Sequence, residues 1–238
     1  FRIRGRRKNP GLRPQHLECV NAVAKLCDAE AEGAKLGSAE LRFVPGRIKS
    51  GRLNIRIPTA GSVGLVLQAV LIAASHTTLK IKIEGGATYG KWAPPIDNQA
   101  NILFPLLKRM GYDIEVLKVK DGFYPKGGAL VELGVKRASL KPIELIEKGK
   151  LNAVNGISVA SSSLEKARVA ERQAKAARKE LFPVFEVPIN LKACYRDAAC
   201  PGTGITLWAE TENSIIGADS LGERGKKSEQ VGREAAKT

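Results

Sequence analysis

Histidine, methionine and cysteine are scarce, at two, one and four in 238 residues. Cys19, Cys27, Cys194 and Cys200 form no CxxC pair, and His16 and His76 stand far apart, so the ligand set of a structural zinc site is missing. Cys19 and Cys27 fall eight residues apart on a predicted helix, about 12 Å along its axis, and read as small core residues. Cys194 and Cys200 are near enough in sequence to close a short disulfide loop. No apolar run approaches the roughly 20 residues that cross a bilayer, and Phe1-Arg2-Ile3-Arg4 does not open a signal peptide. The expectation is a soluble, cytoplasmic chain with no membrane partner. Neither GxxxxGK[ST] nor GxGxxG occurs, which leaves a P-loop or Rossmann site unsupported, and no GxSxG marks a nucleophilic serine.

Acid is also the minority charge: 24 Asp and Glu face 39 Lys and Arg, a formal charge of +15. Such an excess attracts polyanions, because neutralising phosphates releases counterions. Nucleic acid or nucleotide is the leading partner class. With 43% hydrophobic residues a real core is expected, and the length suits two modest domains, 1–143 and 144–238. The break follows Lys141-Pro142, where composition shifts towards Lys, Glu and Ala.

The apolar spacing Leu17, Val20, Val23, Ala24, Cys27 predicts a helix over about 14–27. Strands are expected near 40–44 and 52–57, where Leu53, Ile55 and Ile57 alternate with polar residues. The run 63–74 is apolar on every face and reads as a buried helix with Ser62 as N-cap. A strand at 80–84, a helix opened by Pro94-Pro95 and kinked at Pro105, and strands near 112–119 and 129–135 complete a βαβαββ unit. In the second stretch the pattern predicts a strand at 154–160 and a helix over 163–181 capped by Ser162 and Glu165. Strands near 184–192, 204–211 and 214–219 and a helix from about Ser228 follow. That last helix reaches Thr238 without a C-cap, as in a fraying terminus or a fragment.

Arg4, Arg6, Arg7, Lys8 and Arg13 surround Pro10-Gly11, and guanidinium forks on a turn can clamp phosphate oxygens. The alternative is a solvated basic tail. Gln68 interrupts an apolar helix, so as a buried carboxamide it either bonds nearby backbone or reads a ligand. The 59–64 segment opens that helix and can offer N–H groups to an anion. Trp92-Ala93-Pro94-Pro95 presents rigid apolar surface suited to a nucleobase, with Asp97 able to accept hydrogen bonds beside it; a plain helix start with a first-turn carboxylate explains the same residues. His16 at a helix start can meet phosphate or simply lie on the surface.

The run from Ile3 to Leu17, the Leu36-Gly37-Ser38, Thr59-Ala60-Gly61-Ser62 and Gly85-Gly86-Ala87-Thr88 segments, Ala93-Pro94-Pro95, Gly122-Phe123-Tyr124-Pro125-Lys126-Gly127-Gly128 and Leu221-Gly222-Glu223-Arg224-Gly225 resemble, in order, the RNA 3′-terminal phosphate cyclases. The resemblance implies an α/β (α+β) fold of repeated βαβαββ units, related to enolpyruvyl transferases, with a smaller α/β insert domain. On it, 1–143 holds an incomplete first and a nearly complete second repeat, 144–238 is the insert, and a third repeat is absent.

The activity implied is ATP-dependent conversion of an RNA 3′-phosphate to a 2′,3′-cyclic phosphate, a ligase-class reaction assisted by magnesium or manganese. It would run through a histidine–AMP adduct and an RNA adenylate. Gln68 and Gln15 would lie at the nucleotide, Pro94 and Pro95 on adenine, and Asp97 close by. Arg4 and Arg7, with Arg6 and Arg13 of the basic arm, would hold phosphate or RNA. The family's Glu-Gly-Gly-Gly-Gln segment and its nucleophilic histidine are not in this sequence, so no catalytic residue is named. A non-catalytic cyclase-like ribosome-assembly factor is the alternative, and an enolpyruvyl-transferase relative a third reading.

Overall fold

The computed structural model describes residues 2–238; Phe1, where the first predicted domain begins, lies outside them. Among the described residues the chain forms two four-stranded sheets and a two-stranded one. Helix α1 (Pro14–Cys27) buries Ala22, Leu26 and Cys27. Strands β1 (Glu30–Glu32) and β2 (Arg42–Val44) then pair antiparallel. β3 (Gly51–Ser62) runs into α2 (Val63–Ala74), which crosses to β4 (Leu79–Ala87), parallel to β3. Leu53, Ile55 and Ile57 are buried, while Arg52, Asn54 and Arg56 alternate outwards, the two-residue period the sequence carries.

The next helix is continuous but not uniform. It passes from α3 (Ile96–Asn98) through a π-helical segment (Gln99–Leu103) into α4 (Phe104–Arg109). Phe104 N–H bonds Gln99 O, five residues back. The widened turn precedes Pro105, whose ring crowds the preceding turn and which has no N–H to give. A π segment thus accommodates the proline where a simple kink was expected. β5 (Ile114–Lys120) and β6 (Leu130–Val135) complete the order β3-β4-β6-β5. Leu53, Ile81, Ile83, Val131 and Leu133 of this sheet meet Val63, Val66, Leu67 and Val70 of α2 in the main core.

After irregular chain over 136–150, β7 (Leu151–Ser161), β8 (Ile189–Arg196), β9 (Thr203–Thr211) and β10 (Ile215–Leu221) build the second sheet, order β10-β9-β7-β8. α5 (Val169–Leu181) and α6 (Ser228–Lys237) pack on it through Ala177, Leu181, Val231 and Ala235. The expected helix start at 163 is corrected: Ser162–Leu164 is a short 3-10 turn, a further turn over 165–168 ends at Arg168 with a left-handed φ of 50°, and α5 begins after it. Ser162 Oγ donates to Asp197 Oδ1 rather than capping a helix. All four cysteines are free, so Cys194 and Cys200 form no disulfide; Cys200 Sγ donates to Phe123 O.

The two large sheets meet through a shared cluster in which Tyr89 and Phe123 pack on Val159 and Cys200. Gly202 and Gly204 make that approach possible. A Cβ on Gly202 would stand 2.1 Å from the Phe123 ring and one on Gly204 2.5 Å from Tyr89.

Candidate functional site

The basic arm is folded against the body rather than free in solvent. Ile3 N–H bonds Ala39 O, Gly11 N–H bonds Ile3 O and Leu12 N–H bonds Ser38 O. Gly11 takes φ +81°, and a Cβ there would sit 2.2 Å from Gly37 O, so only glycine fits. Arg4, itself at a left-handed φ of 51°, donates through Nη1 to Asn9 O at 2.9 Å and Gly11 O at 3.2 Å. One guanidinium of the predicted phosphate clamp is therefore partly spent on closing the turn. Arg6, Arg7, Lys8 and Arg13 stand exposed around it.

The arm leads directly into α1. Pro14 supplies the preset φ of the first helical position, and Arg13 N–H donates to Nδ1 of His16 at 3.3 Å. Burial, then the charges of Arg4 and Arg13, hold the His16 pKa below its ordinary 6.5. An imidazole that accepts from backbone and sits among cations is best kept neutral.

One residue before His16, Gln15 Oε1 accepts from Ser62 N–H at 3.3 Å. This contact joins the arm to the start of α2. There Gly61 N–H donates to Thr59 Oγ1 at 3.2 Å, and Leu65 N–H donates to Ser62 Oγ at 3.2 Å, the expected N-cap. Pro94 closes the far side: a Cβ on Gly64 would lie 2.3 Å from Pro94 O. Gln99 Nε2 donates to Gly64 O at 3.0 Å.

The structure thus brings together Arg4, Arg13, Gln15, Ser62 and Pro94, and it redraws three other expectations. Gln68 is exposed, not sequestered, six residues along α2 from Ser62 and near exposed Ile72. The helix turns this side away from its own sheet, so an apolar composition did not mean burial on every face. The buried carboxamides are instead Gln99 and Gln173. Pro95 is buried as the residue preceding α3, which leaves only Pro94 with surface for a base.

Asp97 is buried and fully engaged. Its Oδ2 accepts from Tyr89 Oη at 2.7 Å and from Arg196 Nη1 at 3.0 Å, and its Oδ1 accepts from Arg196 Nη2 at 3.1 Å. Arg196 Nη1 also donates to Asp121 Oδ2 at 3.1 Å. Burial pushes the Asp121 carboxyl up against the pull of Arg196, while Thr88 Oγ1 donates to its other oxygen at 2.6 Å. Burial opposes the Arg196 charge, yet hydrogen bonding and attraction from Asp97, with Asp121, raise its pKa. Tyr89, desolvated and beside Asp97, stays protonated and donates. An open cleft of about 370 Å³ beside the cluster is lined by Val119, Lys120, Asp121, Arg196 and Asp197. Sequence reasoning missed Tyr89, Asp121 and Arg196, because the only signal is their convergence from distant strands. Among the described residues no group of three or more His, Cys, Asp or Glu side chains is placed to hold a metal ion.

A family model described as RNA 3′-terminal phosphate cyclase matches residues 1–230. Curated relatives carrying that name are similar across the chain. One from Pyrococcus furiosus is 46% identical over 238 residues, covering 98% of this chain and 68% of the relative. One from Methanopyrus kandleri is 45% identical over 244 residues, covering 99% and 69%. One from Ignicoccus hospitalis is 43% identical over 244 residues, covering 100% and 69%.

Proposed function

Since the chain belongs to the RNA 3′-terminal phosphate cyclase family, we propose that it serves the ATP-dependent closure of an RNA 3′-phosphate onto the neighbouring 2′-oxygen. The observation that carries the reading is the hydrogen bond from Ser62 N–H to Gln15 Oε1, which fastens a cation-rich arm beside the first turn of a twelve-residue helix. Exposed guanidiniums and a helix N-terminus are two independent attractions for phosphate, and here they share one end of the fold.

In the proposed sequence a histidine nitrogen attacks the α-phosphorus of ATP and pyrophosphate leaves. An oxygen of the RNA 3′-phosphate then takes the adenylyl group and frees the histidine. Finally the ribose 2′-oxygen attacks the 3′-phosphorus, loses its proton and expels AMP. Arg6, Arg7 and Arg13 neutralise phosphate in these steps, and Arg4 holds their turn in shape. Gln15 sets the arm against α2, Pro94 offers an apolar face to adenine, and exposed Gln68 can present its carboxamide to the nucleotide. Asp97 drops out of the nucleotide contacts because both its oxygens are taken. Neither histidine here is given the nucleophile's part: His16 Nδ1 is committed to Arg13 N–H, and His76 lies exposed just past α2.

The carboxylates do not fit a resident divalent ion, since Asp97 and Asp121 already share Arg196. Magnesium or manganese would accompany the triphosphate instead.

The test is to incubate the full-length protein with ATP labelled at the α-phosphate, magnesium and a 3′-phosphorylated oligoribonucleotide. A protein-bound AMP label and a phosphatase-resistant cyclic end are expected. Unchanged RNA with no adduct overturns the catalytic reading; RNA binding without either product favours the non-catalytic assembly-factor alternative.

A further inference from the structure

Exposed aromatic rings are few in this chain. Among the described residues they are Trp92, Tyr124 and Phe182, and the first two stand on loops that converge on the same place. The loop carrying Trp92 presses against Ser62: a Cβ on Gly90 would lie 3.1 Å from Ser62 Cα. The loop carrying Tyr124 presses on the residues just before it, with the Cβ position of Gly127 3.1 Å from Thr59 O and 3.2 Å from Ala60 Cα. The two loops are also tied to each other at their bases. Tyr89 bridges to Phe123, and their rings stack with centroids 5.9 Å apart and planes 28° from parallel.

From this rigid base the tips project outwards. Trp92 is 89% exposed and Tyr124 78% exposed, against buried Tyr89 and Phe123 only a few residues away. Each tip also carries an exposed lysine, Lys126 two residues after Tyr124 and Lys91 beside Trp92, the latter with its Nζ 3.2 Å from Glu223 Oε1. Trp92 further adopts a left-handed φ of 72°, a conformation that bulky residues rarely take. Solvent-facing rings next to cations, on loops anchored at the base, are the elements with which proteins hold unpaired nucleotides: rings stack on bases and lysines meet the adjoining phosphates.

We propose that Trp92 and Tyr124 form a stacking platform for the unpaired nucleobases at the 3′ end of RNA, with Lys126 meeting the adjoining phosphate. This rests on the RNA-end reading above and adds to it a requirement that the last nucleotides be single-stranded. It also separates the RNA bases, on the projecting tips, from the adenine of ATP, placed at Pro94.

The sequence has two tryptophans, so Trp208→Phe leaves Trp92 as the sole indole reporter. That protein would be titrated with a fluorescein-labelled single-stranded oligoribonucleotide ending in a 3′-phosphate, with the same end in a blunt duplex, and with ATP alone. Binding is followed independently by anisotropy of the labelled RNA. Single-stranded RNA should quench Trp92 emission saturably, and the blunt duplex and ATP should not. Trp92→Ala and Tyr124→Ala should each weaken single-strand binding about 5- to 100-fold, with Trp92→Phe and Tyr124→Phe restoring most of it. Normal RNA anisotropy with silent Trp92 emission and unweakened alanine variants overturns the platform while leaving the RNA reading intact. Quenching by ATP and not by RNA also overturns it, assigning the ring to the wrong base. No binding of either RNA overturns the platform and the function reading together.

Discussion

Arg196 at the end of β8 grips both carboxylate oxygens of Asp97 at the start of α3, at 3.0 and 3.1 Å, across 99 positions of sequence. The same guanidinium reaches Asp121 just beyond β5. One cation thus fastens the second sheet to two points of the first, beside the stacked Tyr89 and Phe123. The loops that carry Trp92 and Tyr124 both leave from this junction, so its rigidity is transmitted to the proposed RNA platform.

Removing that cation should be costly. Arg196→Met leaves Asp97 and Asp121 in a site built around a charge, and breaking a buried pair on one side costs about 3–5 kcal/mol. Partial exposure of Arg196 puts the expectation at the lower end. Burial already raises the Asp121 pKa against the pull of Arg196, and removing that cation leaves the ionised carboxylate buried without its counter-charge. The variant's deficit should therefore be largest at neutral pH and shrink as acid neutralises Asp121. Urea unfolding at several pH values measures it; a wild-type midpoint for Arg196→Met would remove the junction from the account. Adding Asp97→Asn and Asp121→Asn should recover part of the loss.

Local pattern carried most of the element order. Alternation at Leu53, Ile55 and Ile57 and the helical spacing in α1 and α2 act over a few residues, and those elements stand where the pattern puts them. The failures have non-local causes. Gln68 sits in an apolar run, but which face of α2 meets the sheet is decided by strands elsewhere. Asp97 looks like a helix-start carboxylate until Arg196 arrives from the other sheet. The site was legible as residue types at the arm and at 59–64; the contact between Gln15 and Ser62 that joins them was not.

A pair of glutamine substitutions tests that distinction directly. Gln173 is buried, and its Oε1 accepts from Ser158 Oγ at 2.8 Å and Thr203 Oγ1 at 3.0 Å. Gln173→Ala strips buried Ser158 Oγ of its acceptor, while Thr203 Oγ1 keeps Val159 O at 2.6 Å, and should lower stability by about 1–3 kcal/mol. Gln68→Ala, on an exposed helical position, should stay within about 0.5 kcal/mol while weakening ATP binding. Thermal unfolding compares the two; equal losses would mean that Gln68 is buried in solution.

His16 makes the arm sensitive to acid. Its folded pKa is lowered by burial and by Arg4 and Arg13, so below 6.5 the unfolded chain takes up a proton that the folded arm resists. Its contribution is present above that pH and is lost as pH falls towards the depressed value. His16→Gln should flatten the stability profile below pH 6.5 relative to wild type. Proton NMR of the imidazole gives the same information, and a His16 midpoint at or above 6.5 would contradict the packing described.

Within the arm, arginines of one sequence cluster should separate into two kinds. Arg6 and Arg7 are exposed and, among the described residues, their guanidiniums make no hydrogen bond or ion pair, so their positive charge is left for phosphate. Each alanine substitution should leave the unfolding temperature unchanged, weaken RNA binding and reduce the slope of log affinity against log salt by about 0.7, the single-strand value per phosphate contact. Arg4 holds Asn9 O and Gly11 O, and Arg4→Ala should lower stability by about 1–3 kcal/mol as the turn loses its tie. Its effect on RNA should follow from a disordered clamp, affecting affinity at every salt concentration rather than the slope alone. Binding isotherms at four or five salt concentrations, read beside thermal melts, distinguish the two kinds; a full slope change with an unaltered melt for Arg4→Ala would place that guanidinium on phosphate instead.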